Sequence, residues 1–196
     1  MTETGAARDL MRSAEIKGIV RTAYAAVDAS SETLARKLYS SEQLAQLPRS
    51  AIEGALGVGN HLRHAEIDAG ETLLDLGCGA GIDTILAARR TGPTGRVLAL
   101  DFLLDMLERT RAAAAEAGLG NVEPLEGDIE ALPLPDDSVD HVISNGVINL
   151  APRKARVLAE CARVLRPGGK LTVADLTVAE EELPAEILAH PATWAG

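Results

Sequence analysis

Three closely spaced glycines follow a short apolar run in the segment LLDLGCGAGID, residues 73–83. The spacing Gly77-x-Gly79-x-Gly81 lets the backbone bend sharply and approach a ligand closely, because glycine carries no Cβ. A helix that begins directly after such a loop offers free N–H groups and a partial positive charge to an anionic group. The segment therefore predicts a ligand-binding loop between a strand and a helix.

Two details distinguish this loop from the loops of dinucleotide-binding proteins. The dinucleotide fingerprint has a glycine three residues after its second glycine, and this chain has Ile82 there. Asp75, two residues before the first glycine, would face a pyrophosphate unfavourably but can pair with an ammonium group. S-adenosylmethionine carries that ammonium and also a carboxylate that the loop and the helix start can hold. The alternative is an ordinary tight turn that binds no ligand.

Two further acidic residues follow neighbouring apolar runs. Asp101 ends the run VLALD, 24 residues after Gly77, which is a spacing at which a carboxylate accepts hydrogen bonds from both ribose hydroxyls. Asp128 and Ile129 follow the next run, where they can bond the adenine amine and pack on its ring. Three strand ends are thus expected to converge on one ligand.

Short apolar runs alternate with helical segments between Glu71 and Asp175, which predicts βαβ units around a parallel sheet in an α/β fold. Residues 1–67 are helical in pattern and are expected to form an N-terminal helical cap. Residues 68–176 are expected to form the core and residues 177–196 an acidic C-terminal tail, all within one structural domain. The predicted strands are TLLDL, RVLAL, VEPLE, DHVIS and KLTVAD.

Composition excludes several classes of protein. The 196 residues carry 19 Lys and Arg against 29 Asp and Glu, and aromatic residues make up 2%, so we expect no nucleic-acid partner. No apolar run approaches the roughly 20 residues that span a bilayer, so no membrane interaction is expected. The two cysteines match neither a metal site nor a disulfide framework, and the N-terminus lacks a signal peptide pattern. We therefore expect a cytoplasmic protein without a bound metal.

The motifs LLDLGCGAGID, VLALD, EGDIEALPLPDDSVDHVISN and RVLRPGGKLTVAD resemble those of class I S-adenosylmethionine-dependent methyltransferases. Within that superfamily the chain resembles the arsenite methyltransferases over about residues 17–196. The stretches that carry this likeness are VRTAYAAV, LYSSEQLAQLP, ALGVGN, GAGIDTILAARRTGPTGRVLALD, ISNGVINLAP and WAG. The resemblance implies a Rossmann-like fold, S-adenosyl-L-methionine as cofactor and a small-molecule acceptor.

The resemblance also implies a set of cofactor-binding residues. They are Asp75, Gly77, Cys78, Gly79, Asp101, Phe102, Met106, Asp128, Ile129 and Asn145. The first four would hold the methionine portion, Asp101 the ribose, and Phe102 and Met106 the faces of the adenine. Asp128 and Ile129 would lie at the adenine edge, and Asn145 would approach the methionine portion. Tyr24 resembles the tyrosine that covers the cofactor in the family.

The cysteine pattern departs from that of the arsenite methyltransferases. The family holds trivalent arsenic with thiolates, because soft ligands bind a soft centre. Two of the positions where the family has cysteines are Val58 and Gly146 here, and a third would follow WAG, where this sequence stops. Cys78 belongs to the cofactor loop, and Cys161 lies within a helical pattern of apolar residues, so both are expected to be structural. We therefore expect an acceptor other than thiol-bound arsenite.

The segment after KLTVAD also departs from the family pattern. Class I methyltransferases follow their fifth strand with a helix and an antiparallel strand pair, and about 20 residues remain here. The usual final pair is therefore expected to be missing, and an open apolar edge favours pairing with another chain. A second copy forming a homodimer, a partner chain or the acidic tail could cover that edge. The sequence could equally be a shortened form of a longer parent.

No catalytic base stands out in the sequence. Transfer of a methyl group from a sulfonium depends mainly on positioning and desolvation, so a missing base does not exclude catalysis. The candidates are His61 and His64, which precede the first strand, and Tyr24. The sequence thus predicts a methyltransferase. The alternative is a catalytically silent or truncated relative that binds the cofactor and acts through a partner or as a dimer.

Overall fold

The computed structural model of the chain describes residues 15–20, 22 and 32–177. Its strands are β1 Thr72–Leu76, β2 Arg96–Asp101, β3 Val122–Glu126, β4 Val139–Asn145 and β5 Leu165–Ala174. They form one sheet in the order β3-β2-β1-β4-β5, and every adjacent pair is parallel. The predicted α/β fold with a parallel sheet is confirmed.

Helices connect the strands and cover both faces of the sheet. They are α1 Glu32–Leu38, α2 Ser41–Leu44, α3 Arg49–Glu53, α4 Ile82–Thr91, α5 Leu104–Glu116 and α6 Lys154–Val164, with 3₁₀ turns at His61–Arg63 and Ile148–Leu150. Residues 15–20 are also helical. Within the described chain, no helix combines the length and apolar character needed to cross a membrane.

Burial of both faces of the sheet explains why the strands are apolar along nearly their whole length. Parallel strands covered on both faces cannot alternate polar and apolar residues, because neither face meets water. In β1, Leu73 and Leu74 point to opposite faces and both are fully buried. Leu73 packs in a cluster with Leu62 and other residues of the N-terminal region, whereas Leu74 packs with residues of α6 such as Val157. The described part of the predicted cap therefore shares one core with the sheet.

Strand β5 begins earlier than the sequence predicts. The predicted strand KLTVAD begins at Lys170, whereas the structure starts β5 at Leu165. The strand thus includes Arg166-Pro-Gly-Gly, whose composition is typical of a turn. Leu165 pairs with Val139 and Lys170 pairs with His141, so the register shifts between the two pairs. The additional residues make the pairing of β4 and β5 irregular, and among them Gly168 adopts a φ of +85°. Tertiary pairing with β4 thus overrides the local turn propensity.

The outer edge of β5 is unpaired among the described residues. Leu171 and Val173 on this strand are each 39% exposed. Residues 32–177 form five strands. The candidate tail falls almost wholly outside the described residues.

Replacement of Leu74 by alanine tests the core. Because Leu74 is fully buried, we expect Leu74→Ala to lower the free energy of unfolding by about 2–5 kcal/mol. Leu158→Ala is the matched control, since Leu158 is 47% exposed on α6, and its effect should stay within about 0.5 kcal/mol. Urea denaturation followed by circular dichroism measures both. Equal losses in the two variants would contradict the described core.

Candidate functional site

A cavity of about 460 Å³ opens at the carboxyl ends of the strands. All the cofactor residues predicted from the sequence line it, from Asp75 on β1 to Asn145 at the end of β4. Chain order reverses at this place, since β1 lies between β2 and β4. Ligands of open α/β sheets bind at such a switch point. The fold therefore brings the predicted residues together at the position where a ligand is expected.

The glycine loop needs its glycines for two separate reasons. Gly77, Gly79 and Gly81 all have positive φ values, of +68°, +52° and +89°, which residues with a Cβ adopt at a cost. A Cβ on Gly77 would also lie 2.4 Å from Cγ2 of Val147. The N–H groups of Gly77 and Cys78 both donate to the carbonyl of Leu100, at 2.8 and 2.9 Å. The loop is thus fixed to β2 and held close to the β4 side.

Asp75 lies at the base of the cavity with 2% of its surface exposed. Its Oδ2 accepts a hydrogen bond of 2.5 Å from the Thr84 hydroxyl. Burial, followed by the negative charge of Asp83, raises the pKa of Asp75 to about 8, against the opposing effect of Thr84. The charged groups that act on it in the described chain, Asp83 and Asp101, are both negative. A cationic ligand would supply the missing countercharge.

Asp101 ends β2 with its side chain held by the backbone. Its Oδ2 accepts from the N–H of Gly79 at 3.1 Å, and its Oδ1 accepts from the N–H of Leu103 at 3.0 Å. Burial raises the pKa of Asp101, and these backbone donors oppose that rise. The two bonds fix the carboxylate beside the glycine loop, and each oxygen keeps further lone-pair capacity for a ligand.

The other end of the cavity is bounded by Phe102, Met106 and Ile129. Asp128 also lines this end, and its Oδ1 accepts from the N–H of Glu130 at 2.9 Å. Its Oδ2 pairs with the ammonium of Lys17 from the N-terminal helical residues. This end therefore combines apolar walls with the carboxylate of Asp128, which suits a flat ring that carries an amine.

Sequence reasoning missed several lining residues. They are Lys17, Val20, Gly54, Leu56, Gly57, Ala80, Ile82, Asp83, Leu100, Leu103, Glu126, Gly127, Glu130, Gly146, Val147, Leu150, Ala151 and Pro152. Some of them flank predicted residues. Lys17 and Leu56 carry no local pattern that marks them, because they reach the cavity through the packing of the cap against the sheet. Asp83 directly follows the glycine loop, in the first turn of α4.

Neither candidate histidine lines the cavity. His61 is 3% exposed, and neither of its ring nitrogens has a hydrogen-bond partner within the described structure. Burial lowers the pKa of His61, and the residue is absent from the cavity lining. His64 is exposed and also lies away from the lining. Tyr24 lies outside the described residues. The structure thus brings neither histidine to the cavity.

The two cysteines are both buried and free. Cys78 lines the cavity, and burial raises the pKa of its thiol well above the usual range. Cys161 is fully buried in α6, and burial raises the pKa of its thiol to about 11. No group of three or more His, Cys, Asp or Glu side chains in residues 32–177 and the described N-terminal residues is arranged to hold a metal ion.

Comparison with known proteins agrees with this geometry. A family model described as a methyltransferase domain matches residues 67–195, and the chain belongs to this family. An arsenite methyltransferase of Halobacterium salinarum is 41% identical over 158 residues, which cover 81% of this chain and 40% of that protein. A demethylmenaquinone methyltransferase of Listeria monocytogenes is 39% identical over 109 residues, which cover 56% of this chain and 46% of that protein.

Solved structures give the same classification. The crystal structure of an arsenic(III) S-adenosylmethionine methyltransferase from Chlamydomonas reinhardtii matches with a TM-score of 0.70 and 38% identity, over 78% of this chain and 53% of that one. An S-adenosylmethionine-dependent methyltransferase from Aquifex aeolicus matches with a TM-score of 0.57 and 25% identity, over 79% of each chain. The predicted resemblance to class I methyltransferases, and to arsenite methyltransferases among them, is confirmed. The chain spans about half or less of the length of both curated relatives.

The pKa of Asp75 predicts how stability depends on pH. Because its pKa is about 8 in the folded chain, against 3.8 for an unperturbed aspartate, the folded state retains a proton that the unfolded state releases between these values. The free energy of unfolding of the ligand-free chain should therefore fall as the pH rises from about 5 to about 8. In Asp75→Asn this fall should be shallower, with a remainder due to Asp83 and Asp101.

Urea denaturation of both proteins across that pH range measures the difference. The difference in free energy of unfolding between wild type and Asp75→Asn should change steadily with pH, in favour of the variant at the alkaline end. A difference that does not change with pH would contradict the raised pKa.

Proposed function

We propose that the chain binds S-adenosylmethionine in the cavity and transfers its methyl group to a small molecule. The observation that carries this proposal is Asp75, a buried carboxylate at a strand end that lacks a countercharge from the described protein. The ammonium of the cofactor would supply that charge. The family membership and the likeness to named methyltransferases support the same reaction.

The charge of the cavity fits this cofactor. Among the described residues, its lining has one basic side chain, Lys17, and six acidic ones: Asp75, Asp83, Asp101, Glu126, Asp128 and Glu130. Such a surface favours a ligand with sulfonium and ammonium groups and disfavours a pyrophosphate. The volume of about 460 Å³ lies within the usual range of small-ligand sites. The residues present therefore fit S-adenosylmethionine better than a dinucleotide.

Each part of the cavity has a defined role in this proposal. Asp75 would pair with the ammonium, the loop from Gly77 to Gly79 would hold the carboxylate, and Asp101 would accept bonds from the ribose hydroxyls. Phe102 and Met106 would enclose the adenine, with Asp128 and Ile129 at its edge. The cofactor supplies an already activated methyl group, so the contribution of the chain is to orient it and to exclude water.

The acceptor is proposed to be a small molecule other than thiol-bound arsenite. Val58 and Gly146, which stand where arsenite methyltransferases have cysteines, lie in contact: a Cβ on Gly146 would be 3.0 Å from Cγ1 of Val58. A pair of thiols at these positions would be neighbours, but this chain offers neither. The one thiol that lines the cavity in the described residues, Cys78, is held protonated by burial, which raises its pKa. Thiolate ligands for arsenic are therefore absent from the described lining.

Titration calorimetry with S-adenosylmethionine and S-adenosylhomocysteine tests the cofactor site. We expect micromolar binding to the wild type and about tenfold or greater weakening in Asp101→Ala, since two charge-assisted hydrogen bonds would be lost. Asp68→Ala, which removes an exposed carboxylate before β1, should bind as the wild type does. A folded wild-type chain that binds neither ligand would overturn the proposed function.

A methyl-transfer assay tests the acceptor proposal separately. Arsenite in the presence of a small thiol should not increase the formation of S-adenosylhomocysteine above the rate without acceptor, because the described cavity lining lacks thiolate ligands. Arsenite-dependent turnover would contradict the proposed acceptor class while leaving the cofactor site intact. A chain that binds the cofactor but methylates no member of an acceptor panel would favour the catalytically silent alternative.

A further inference from the structure

Asp83 is a buried carboxylate that the proposed cofactor roles do not use. It lies in the first turn of α4, directly after the glycine loop, and is 6% exposed. Its Oδ1 accepts a hydrogen bond of 2.8 Å from the Tyr39 hydroxyl, and its Oδ2 accepts one of 2.8 Å from Nδ2 of Asn145. Each oxygen thus binds a group from a different part of the chain.

Asn145 in turn binds the segment 56–59, which has no regular structure. Its Oδ1 accepts from the N–H groups of Val58 and Gly59 at 2.9 and 3.1 Å, and its Nδ2 also donates to the Gly59 carbonyl at 2.9 Å. Because the side-chain carbonyl faces two N–H donors, the orientation of the amide is determined by its partners. The NH₂ group must therefore face Asp83.

The segment 56–59 forms one wall of the cavity. Leu56 and Gly57 line it, as Asn145 and Asp75 do. Gly57 allows the close approach, since a Cβ there would lie 2.4 Å from Nδ2 of Asn145. The side-chain amide of Asn145 thus holds protein backbone, and its hydrogen-bonding groups are already used within the described structure.

We propose that Asp83 is a positioning residue, which holds Asn145 and through it the segment 56–59 against the methionine end of the cavity. This inference rests on the proposed function, because the methionine end is defined by S-adenosylmethionine. It also gives Asn145 a different role from the direct contact that the family resemblance implies. Asp83 also lines the cavity, and the proposed role is the one that it exerts through Asn145.

The hydrogen-bond chemistry distinguishes a positioning role from a charge role. Alanine at position 83 leaves the hydroxyl of Tyr39 without its acceptor and removes one acceptor of the Asn145 NH₂, which keeps the Gly59 carbonyl and the Tyr39 oxygen. Losing a hydrogen-bond partner is costly in a buried site. Asparagine can turn its carbonyl to Asn145 and its NH₂ to Tyr39, because a hydroxyl can also accept. Asp83→Asn therefore keeps the contact and removes the charge. Burial raises the pKa of Asp83, which agrees with a contact that survives loss of the charge.

Two ligands that differ only at the methionine end provide the first test. S-adenosylhomocysteine carries the amino-acid portion, whereas methylthioadenosine lacks it. Asp83→Ala should weaken binding of S-adenosylhomocysteine by about tenfold and leave methylthioadenosine unchanged. Asp83→Asn should restore most of the affinity. Asp105→Ala, which removes an exposed carboxylate from the first turn of α5, is the matched control and should change neither.

Hydrogen exchange provides a second readout that does not depend on a ligand. The amides of Val58 and Gly59 should exchange faster in Asp83→Ala than in the wild type or in Asp105→Ala, because their acceptor is no longer held. If Asp83→Ala weakened the binding of both ligands equally, or left the exchange of these two amides unchanged, the inference would be overturned. Equal weakening in Asp83→Asn and Asp83→Ala would show a charge role and would overturn it too. A wild type that binds neither ligand would instead overturn the proposed function.

Discussion

The structure depends on a set of carboxylates that are buried at the carboxyl ends of the parallel strands. The positive charge near them is too small to neutralise them. An ionised carboxylate loses its hydration when it is buried. This loss costs free energy unless hydrogen bonds or a countercharge replace the lost water. Asp101 is compensated by two backbone N–H groups and Asp83 by Tyr39 and Asn145. Asp75 has one hydroxyl partner in the described chain, that of Thr84, and a pKa of about 8. We therefore propose that Asp75 binds a cationic group of the ligand.

The fold determines where a ligand can reach these buried carboxylates. In the order β3-β2-β1-β4-β5, the chain leaves β1 towards β2 and later returns to β4 on the other side. The carboxyl ends of these strands thus open a crevice at the switch point, where ligands of such sheets bind. The glycine loop turns within this crevice, and Val147 lies too close to Gly77 for any side chain there. The position of the site consequently follows from the order of the strands in the sheet.

The sequence predicted those parts of the site that are local to a strand end. Asp75, the glycines and Asp101 lie at the ends of apolar runs, at spacings typical of a cofactor site. The residues that we predicted to bind the cofactor line the cavity. Lys17 could not be predicted, because it reaches the cavity through the packing of the N-terminal helical residues. Asp83 ends the motif LLDLGCGAGID, but no spacing reveals its contacts with Tyr39 and Asn145. His61 shows the opposite case, since it precedes β1 in sequence but is buried away from the cavity. The early start of β5 likewise follows from pairing with β4 and not from local propensity.

Proton release on ligand binding tests the central claim most directly. With a pKa of about 8, Asp75 of the ligand-free chain is mostly protonated at neutral pH, and pairing with an ammonium would stabilise its ionised form. Calorimetric titration with S-adenosylhomocysteine, in buffers of different ionisation enthalpy, should therefore show release of about one proton per chain. Asp75→Asn should release clearly less. Binding without proton release, or equal release by the wild type and Asp75→Asn, would contradict the account.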